Sequence, residues 1–140
     1  MAEFGTSITA DEIVDTLGFF DDWEDRYRYI IDLGKQLPEL DAADHNDANI
    51  VRGCQSQVWV TAAVEDGVIS FKADSDAHIV RGLIAIVLSA FNAKPAQAIL
   101  DFDIDGYFES LDLLRHISPT RGNGLRAMVA RMRELATALR

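Results

Sequence analysis

Residues 57–73 read QVWVTAAVEDGVISFKA, a pattern typical of a β-hairpin. The first half is rich in valine, with tryptophan and threonine, and these residue types favour strands. Asp66-Gly67 is a strong signal for a two-residue hairpin turn, and residues 68–73 alternate well enough to form the returning strand. The stretch therefore predicts two antiparallel strands, with Trp59 in the core, and residues 49–52 are expected to add a short third strand.

Helical patterns flank this hairpin on both sides. Two helices precede it, and Thr9 and Asp22 are suited to cap their first turns. Asp76 is expected to begin a helix that is apolar almost all round, and an amphipathic helix is expected over about residues 123–139, after two short helical pieces. Because no linker or repeat divides residues 1–140, they are predicted to form a single α+β domain, a small antiparallel sheet of about three strands covered by helices.

Composition excludes several classes of protein. The chain has 140 residues, 49% of them hydrophobic, which argues against a disordered chain, and no apolar run is long enough to span a bilayer. Net charge is −10, and the acidic first half argues against nucleic-acid binding. The arginine-rich end suits either a solvated helix face or an acidic protein partner. The first twenty residues lack the basic region of a secretory signal, so we expect a cytoplasmic protein.

Cys54 is the only cysteine, which limits the chemistry of the chain. One thiol excludes an internal disulfide, a multi-thiolate metal site and a two-cysteine redox cycle. Gly53 before it and the polar residues 55–57 after it favour a thiol at a loop tip, although free cysteine is also common in cores. Sulfur acceptance, nucleophilic catalysis and inert packing remain open. A hydrolase would also need a base, for which the histidines are His45, His78 and His116.

Residues 53–59, GCQSQVW, closely resemble the signature of the SufE family, the sulfur-acceptor proteins of iron–sulfur cluster biogenesis. The likeness covers about residues 23–132, in the family's order. It is carried by RYRYIIDLGK at 26–35, LPEL at 37–40, DSDA at 74–77, IVRGL at 79–83, HISPTR at 116–121 and GLRAM at 124–128.

The resemblance implies a sulfur carrier and activator rather than a stand-alone enzyme. Its donor would be a cysteine desulfurase of the SufS or CsdA type, which holds sulfur as a persulfide. Cys54 would accept that sulfur, stimulate the desulfurase and pass the sulfur to a scaffold or another acceptor of iron–sulfur cluster assembly. Pyridoxal phosphate belongs to the desulfurase, so no cofactor or metal is expected on this chain.

The resemblance also bears on fold and assembly. The implied fold is similar to that of IscU-type scaffolds, but a scaffold holds its cluster through several cysteines and this chain has one. No membrane or nucleic-acid partner is implied, and we expect a monomer or a weak homodimer. Residues 49–57 are expected to shelter Cys54 in the free protein and to turn it outwards on docking.

Residues beside the thiol are candidates for supporting roles. Gly53 would give the loop its backbone freedom, and Gln55 would position it through hydrogen bonds. Arg52 either lowers the pKa of the Cys54 thiol or points into solvent.

Three supporting candidates lie further along the chain. Arg121 stabilises the thiolate or persulfide, contacts the desulfurase, or stabilises a helix end. Asp74, with Asp76, is expected to stabilise a turn and a helix start. His116 is expected to be structural. Two other functions remain open: a binding or regulatory module in which the thiol is incidental, and a stand-alone cysteine enzyme with His116 as base.

Overall fold

The computed structural model of the protein describes residues 4–140. Six α-helices, two strands and a short 3₁₀ turn follow one another within that range. In chain order they are α1 (Ala10–Phe19), α2 (Trp23–Gly34), the 3₁₀ turn (Ala42–Asp44), β1 (Val58–Glu65), β2 (Val68–Ser75), α3 (His78–Phe91), α4 (Ala96–Asp101), α5 (Ile104–Ser110) and α6 (Pro119–Leu139). No helix in the described part of the chain is long and apolar enough to cross a bilayer.

The predicted hairpin is confirmed. β1 and β2 pair antiparallel, with Val58 opposite Ser75 at one end and Glu65 opposite Val68 at the other. The turn residues Asp66 and Gly67 have φ angles of 52° and 77°, both in the left-handed region that a tight primed turn requires. The predicted fold class, helices with a small antiparallel sheet, is also confirmed.

The expected third strand at residues 49–52 is reduced to a single bridge. Ile50 pairs with Trp59, between hydrogen bonds from the Val51 amide to the Val58 carbonyl (2.7 Å) and from the Val60 amide to the Asn49 carbonyl (2.9 Å). Extended pairing ends there because the chain turns at Arg52 and Gly53.

One face of the hairpin packs on the helices. The side chains buried on that face are Val58, Val60, Ile69, Phe71 and Ala73. Trp59 was predicted to join them, and this was wrong. Because successive side chains of a strand point to opposite faces, Trp59 lies on the other face, where its ring meets the His45 ring edge-on at 4.6 Å between centroids.

Helix α3 forms the centre of the core, as its nearly continuous apolar sequence predicts. Every residue from Gly82 to Phe91 is buried, and the helix packs against α1, α2, α6 and β2. It begins at His78, two residues later than expected, and Ala77 occupies the cap position. Asp76 therefore does not start the helix; its Oδ1 accepts a hydrogen bond from the Gln57 amide (3.1 Å).

The starts predicted for α1 and α2 are confirmed by their capping side chains, whereas α6 starts earlier than predicted. Thr9 accepts a hydrogen bond from the Glu12 amide at 3.2 Å, and Asp22 accepts one from the Asp25 amide at 2.9 Å. Helix α6 begins at Pro119 and not near residue 123, because Ser118 caps it and proline suits the first helical position.

Candidate functional site

Cys54 lies on a short loop that is closed at both ends. At one end the Val51 amide donates to the Val58 carbonyl, and at the other the Gln57 carbonyl accepts from the Asp76 amide at 3.3 Å. Gly53 adopts a φ of +94°, a backbone conformation that residues with a side chain rarely take up. The loop therefore holds Cys54 close to the start of β1, and Gly53 supplies the turn that brings it there.

The thiol of Cys54 faces the interior of the protein. The residue is half-buried, and its Sγ lies 3.5 Å from the Gly124 carbonyl oxygen on α6. Beneath it is a cavity of about 40 Å³. Its apolar lining comes from α3 and α6, through Val80, Leu83, Leu125 and Met128. A water-sized group needs only roughly 10–15 Å³, so the cavity has room for one additional atom on the sulfur.

These surroundings favour the neutral thiol over the thiolate. Burial raises the pKa of Cys54, because the charged form is poorly solvated beside apolar side chains. The Gly124 carbonyl is an acceptor, so it interacts favourably with an S–H and unfavourably with a negative sulfur. Cys54 is thus held as a protected thiol in this conformation, and activation requires a change in its surroundings.

Among the supporting candidates, Gln55 and Arg121 lie beside the thiol, and Arg52 does not. Gln55 and Arg121 both line the Cys54 cavity, Arg121 from the first turn of α6. The Arg121 guanidinium forms no ion pair with any residue in 4–140, so its charge is available to an anionic group. Arg52 is exposed and lines a different groove, next to Ala127 and Arg131.

Asp74 belongs to a separate cluster on the outer side of the hairpin. Its Oδ2 lies 2.8 Å from His45 Nε2, and its Oδ1 lies 2.8 Å from Arg81 Nε and accepts from the Ser75 amide at 2.8 Å. Burial opposes ionisation of Asp74, but these hydrogen bonds and the charge of Arg81 hold its pKa below the usual value. Asp74 therefore links the segment containing His45 to the sheet.

His116 is also remote from the Cys54 cavity. Its ring stacks on Trp23 with centroids 4.1 Å apart, and Nε2 lies 3.3 Å from Asp112 Oδ2. None of the residues lining the Cys54 cavity is a histidine. Within residues 4–140 no group of three His, Cys, Asp or Glu side chains is arranged to hold a metal ion. Cys54 is thus a half-buried thiol, and no histidine that could act as a base lines its cavity.

Residues 11–136 match the sequence profile of the SufE family, described as an Fe-S metabolism associated domain. The chain belongs to the SufE family. An uncharacterised SufE-like protein of Rhizobium etli is 50% identical over 130 residues, which cover 90% of this chain and 88% of that protein. A second uncharacterised SufE-like protein, from Rhizobium meliloti, is 47% identical over 130 residues, covering 90% and 93% respectively. Membership of the SufE family connects the chain with iron–sulfur metabolism.

A solved structure shares the fold. The solution structure of a hypothetical protein from Thermus thermophilus matches with a TM-score of 0.76, over 92% of this chain and 93% of that one. Sequence identity is 18%, so this likeness concerns the SufE fold alone.

Gly124 is the residue of this SufE site that sequence reasoning did not single out. A Cβ atom there would lie 3.4 Å from the Cys54 Sγ, at the short end of van der Waals contact, so the thiol packs directly against the backbone of the helix. A glycine within a helical pattern often has a packing reason, and that signal was present. Its partner, 70 positions away, was not visible in the sequence.

Proposed function

We propose that this SufE protein accepts sulfur on Cys54 from the persulfide of a pyridoxal-phosphate-dependent cysteine desulfurase of the SufS type. The protein then passes that sulfur to iron–sulfur cluster assembly and restores the desulfurase for another turnover. The only thiol of the chain lies on a short loop, above a cavity with room for one more atom, and this position supports the proposal. Family membership supports the same role. The whole chain acts as one sulfur-acceptor domain, in the cytoplasm, where thiols stay reduced.

The transfer step is an exchange at divalent sulfur. Cys54 loses its proton, and the thiolate attacks the outer sulfur of the donor persulfide. The sulfur–sulfur bond of the donor breaks, its electron pair leaves with the donor cysteine, and that thiolate takes up a proton. Cys54 becomes a persulfide, and no net oxidation or reduction occurs because the outer sulfur moves between equivalent thiols.

We infer two positions for the Cys54 side chain in this cycle. Inward, the sulfur lies by the Gly124 carbonyl and is shielded from small reductants and oxidants. Outward, it leaves the apolar cavity, so its pKa falls towards the usual value and Arg121 can favour the anion. Docking of the desulfurase drives the outward turn. In the free protein, Cys54 should therefore react with iodoacetamide more slowly than a small-molecule thiol, and equal rates would contradict sheltering.

The proposal is tested by the turnover of a SufS-type desulfurase, followed as alanine released from cysteine. The wild-type protein should raise the rate, and Cys54→Ser should abolish the increase. A matched control carries the thiol elsewhere: Cys54→Ser combined with Ser70→Cys, an exposed position on β2, should stay inactive. Full stimulation by Cys54→Ser would overturn the proposal and favour a binding module in which the thiol is incidental.

A further inference from the structure

The edge of the sheet next to Cys54 presents an unused pair of backbone hydrogen-bonding groups. The hydrogen bonds of the Ile50–Trp59 bridge are made by the neighbouring residues, Val51 with Val58 and Asn49 with Val60. In this antiparallel pattern the N–H and C=O of Ile50 point away from β1. Neither group has a hydrogen-bond partner within residues 4–140. Such an edge is a template for an added strand.

A groove runs along this edge. Its volume is about 590 Å³, with the segment 47–52 as one wall and α6 as the other. On the helix side the methyl groups of Ala127 and Ala130 leave room for a chain to approach the backbone of Ile50. Arg131 and Glu134 also line this wall and pair with each other at 3.3 Å. The free backbone groups of the bridge residue Ile50 and the facing helix suit an extended peptide, held by main-chain bonds and selected by its side chains.

The charges on the wall formed by residues 47–52 give the groove a direction. Asp47 lies at one end of the segment and Arg52 at the other, and neither forms an ion pair with any residue in 4–140. A segment with a basic side chain near Asp47 and an acidic one near Arg52 would complement them. Arg52 is two positions before Cys54, so a chain bound here reaches the sulfur-accepting loop.

We propose that this groove binds an extended segment of the cysteine desulfurase, which adds to the Ile50 edge as a further strand and orients the donor over Cys54. The inference rests on the proposed function, because the desulfurase is the partner that approaches this loop to deliver sulfur. It adds the mode of docking: main-chain pairing at Ile50, flanked by two opposite charges.

The test compares tryptophan substitutions at two exposed alanines of the same helix. Ala130→Trp fills the groove, whereas Ala138→Trp lies outside its lining. We expect Ala130→Trp to raise the Kd for a SufS-type desulfurase by about tenfold or more, and Ala138→Trp to leave it unchanged. Thermal unfolding of both variants checks that they fold. In the wild-type protein, hydrogen exchange at the Ile50 amide should slow when the desulfurase is added.

Each outcome separates the docking mode from sulfur acceptance. Unchanged Kd for Ala130→Trp, or an Ile50 amide that exchanges equally fast in the complex, would overturn the docking mode even if Cys54 gains sulfur. If exchange at the Ile50 amide slows with rising protein concentration in the absence of the desulfurase, a second copy of the protein occupies the groove. That result would also overturn the docking mode. If wild-type Cys54 gains no sulfur from an active desulfurase, the proposed function fails as well.

Discussion

Replacing Gly53 by alanine tests whether a left-handed backbone is needed to present Cys54. Its φ of +94° lies where a Cβ costs roughly 1–2 kcal/mol. Alanine also restricts the unfolded chain, which offsets about 0.4–1 kcal/mol of that cost. The new Cβ would lie 3.4 Å from the Ala127 Cβ, an ordinary contact that adds no repulsion. The free energy of unfolding should therefore fall by about 1 kcal/mol, or about 4 °C in Tm.

Two other glycines serve as matched controls. Gly67 has a φ of +77° with open space around it, so Gly67→Ala should destabilise by a similar amount for the same backbone reason. Gly18 lies within α1, also in open space, so Gly18→Ala should stabilise by about 0.5–1 kcal/mol through helix propensity. Denaturant unfolding of the three variants should thus separate Gly53→Ala from Gly18→Ala by about 1.5–2 kcal/mol.

Function distinguishes the two strained positions. Gly53→Ala should slow sulfur uptake by Cys54, because the adjacent thiol moves with the backbone, whereas Gly67→Ala at the far end of the hairpin should not. If Gly53→Ala is at least as stable as the wild type, the left-handed backbone at position 53 does not require glycine. If it accepts sulfur at the wild-type rate, the loop geometry is not what presents the thiol.

Three further predictions concern the fold around the site. Both ring nitrogens of His45 face acceptors, the Asp41 carbonyl and the Asp74 carboxylate, so its pKa is raised. The stabilisation by protonated His45 should be full below about pH 6.5 and lost as pH rises through the raised pKa. The Tm difference between the wild type and His45→Gln should therefore shrink between pH 5.5 and 8.5. A Tm difference that stays constant over this range would contradict the prediction. Tyr107→Phe removes the 3.0 Å hydrogen bond from the buried hydroxyl to the Ile86 carbonyl, and denaturant unfolding should report a loss of about 1 kcal/mol. Ser118→Ala removes the cap of α6 and should lower the free energy of unfolding by about 1 kcal/mol in the same assay. An unchanged free energy of unfolding would indicate that α6 starts later in the chain.

Local signals predicted the parts of the fold that depend on neighbouring residues. The Asp66-Gly67 turn predicted the hairpin, and the Thr9 and Asp22 caps predicted the starts of α1 and α2. The start of α6 was missed although Ser118-Pro119 is itself a cap followed by proline. Strand propensity identified Trp59 as a strand residue but did not determine which face it occupies, because that depends on what covers each side of the sheet.

Of the residues that form the site, the sequence predicted the thiol itself but not its surroundings. The sequence identified Cys54 because it is the only thiol and lies in a family signature. It did not predict the Gly124 carbonyl or the cavity walls, which come from helices distant in sequence. The ion-pair cluster of His45, Asp74 and Arg81 likewise joins segments with no local pattern in common. Such contacts depend on how the helices pack on the hairpin.

If Cys54 is the sulfur acceptor, it carries the transferred sulfur atom as a persulfide. Intact-mass spectrometry under non-reducing conditions detects that atom after the protein is mixed with an active SufS-type desulfurase and cysteine. We expect a gain of about 32 Da that is removed by a thiol reductant and does not occur in Cys54→Ser. No gain in the wild-type protein, or an equal gain in Cys54→Ser, would show that Cys54 is not the sulfur acceptor.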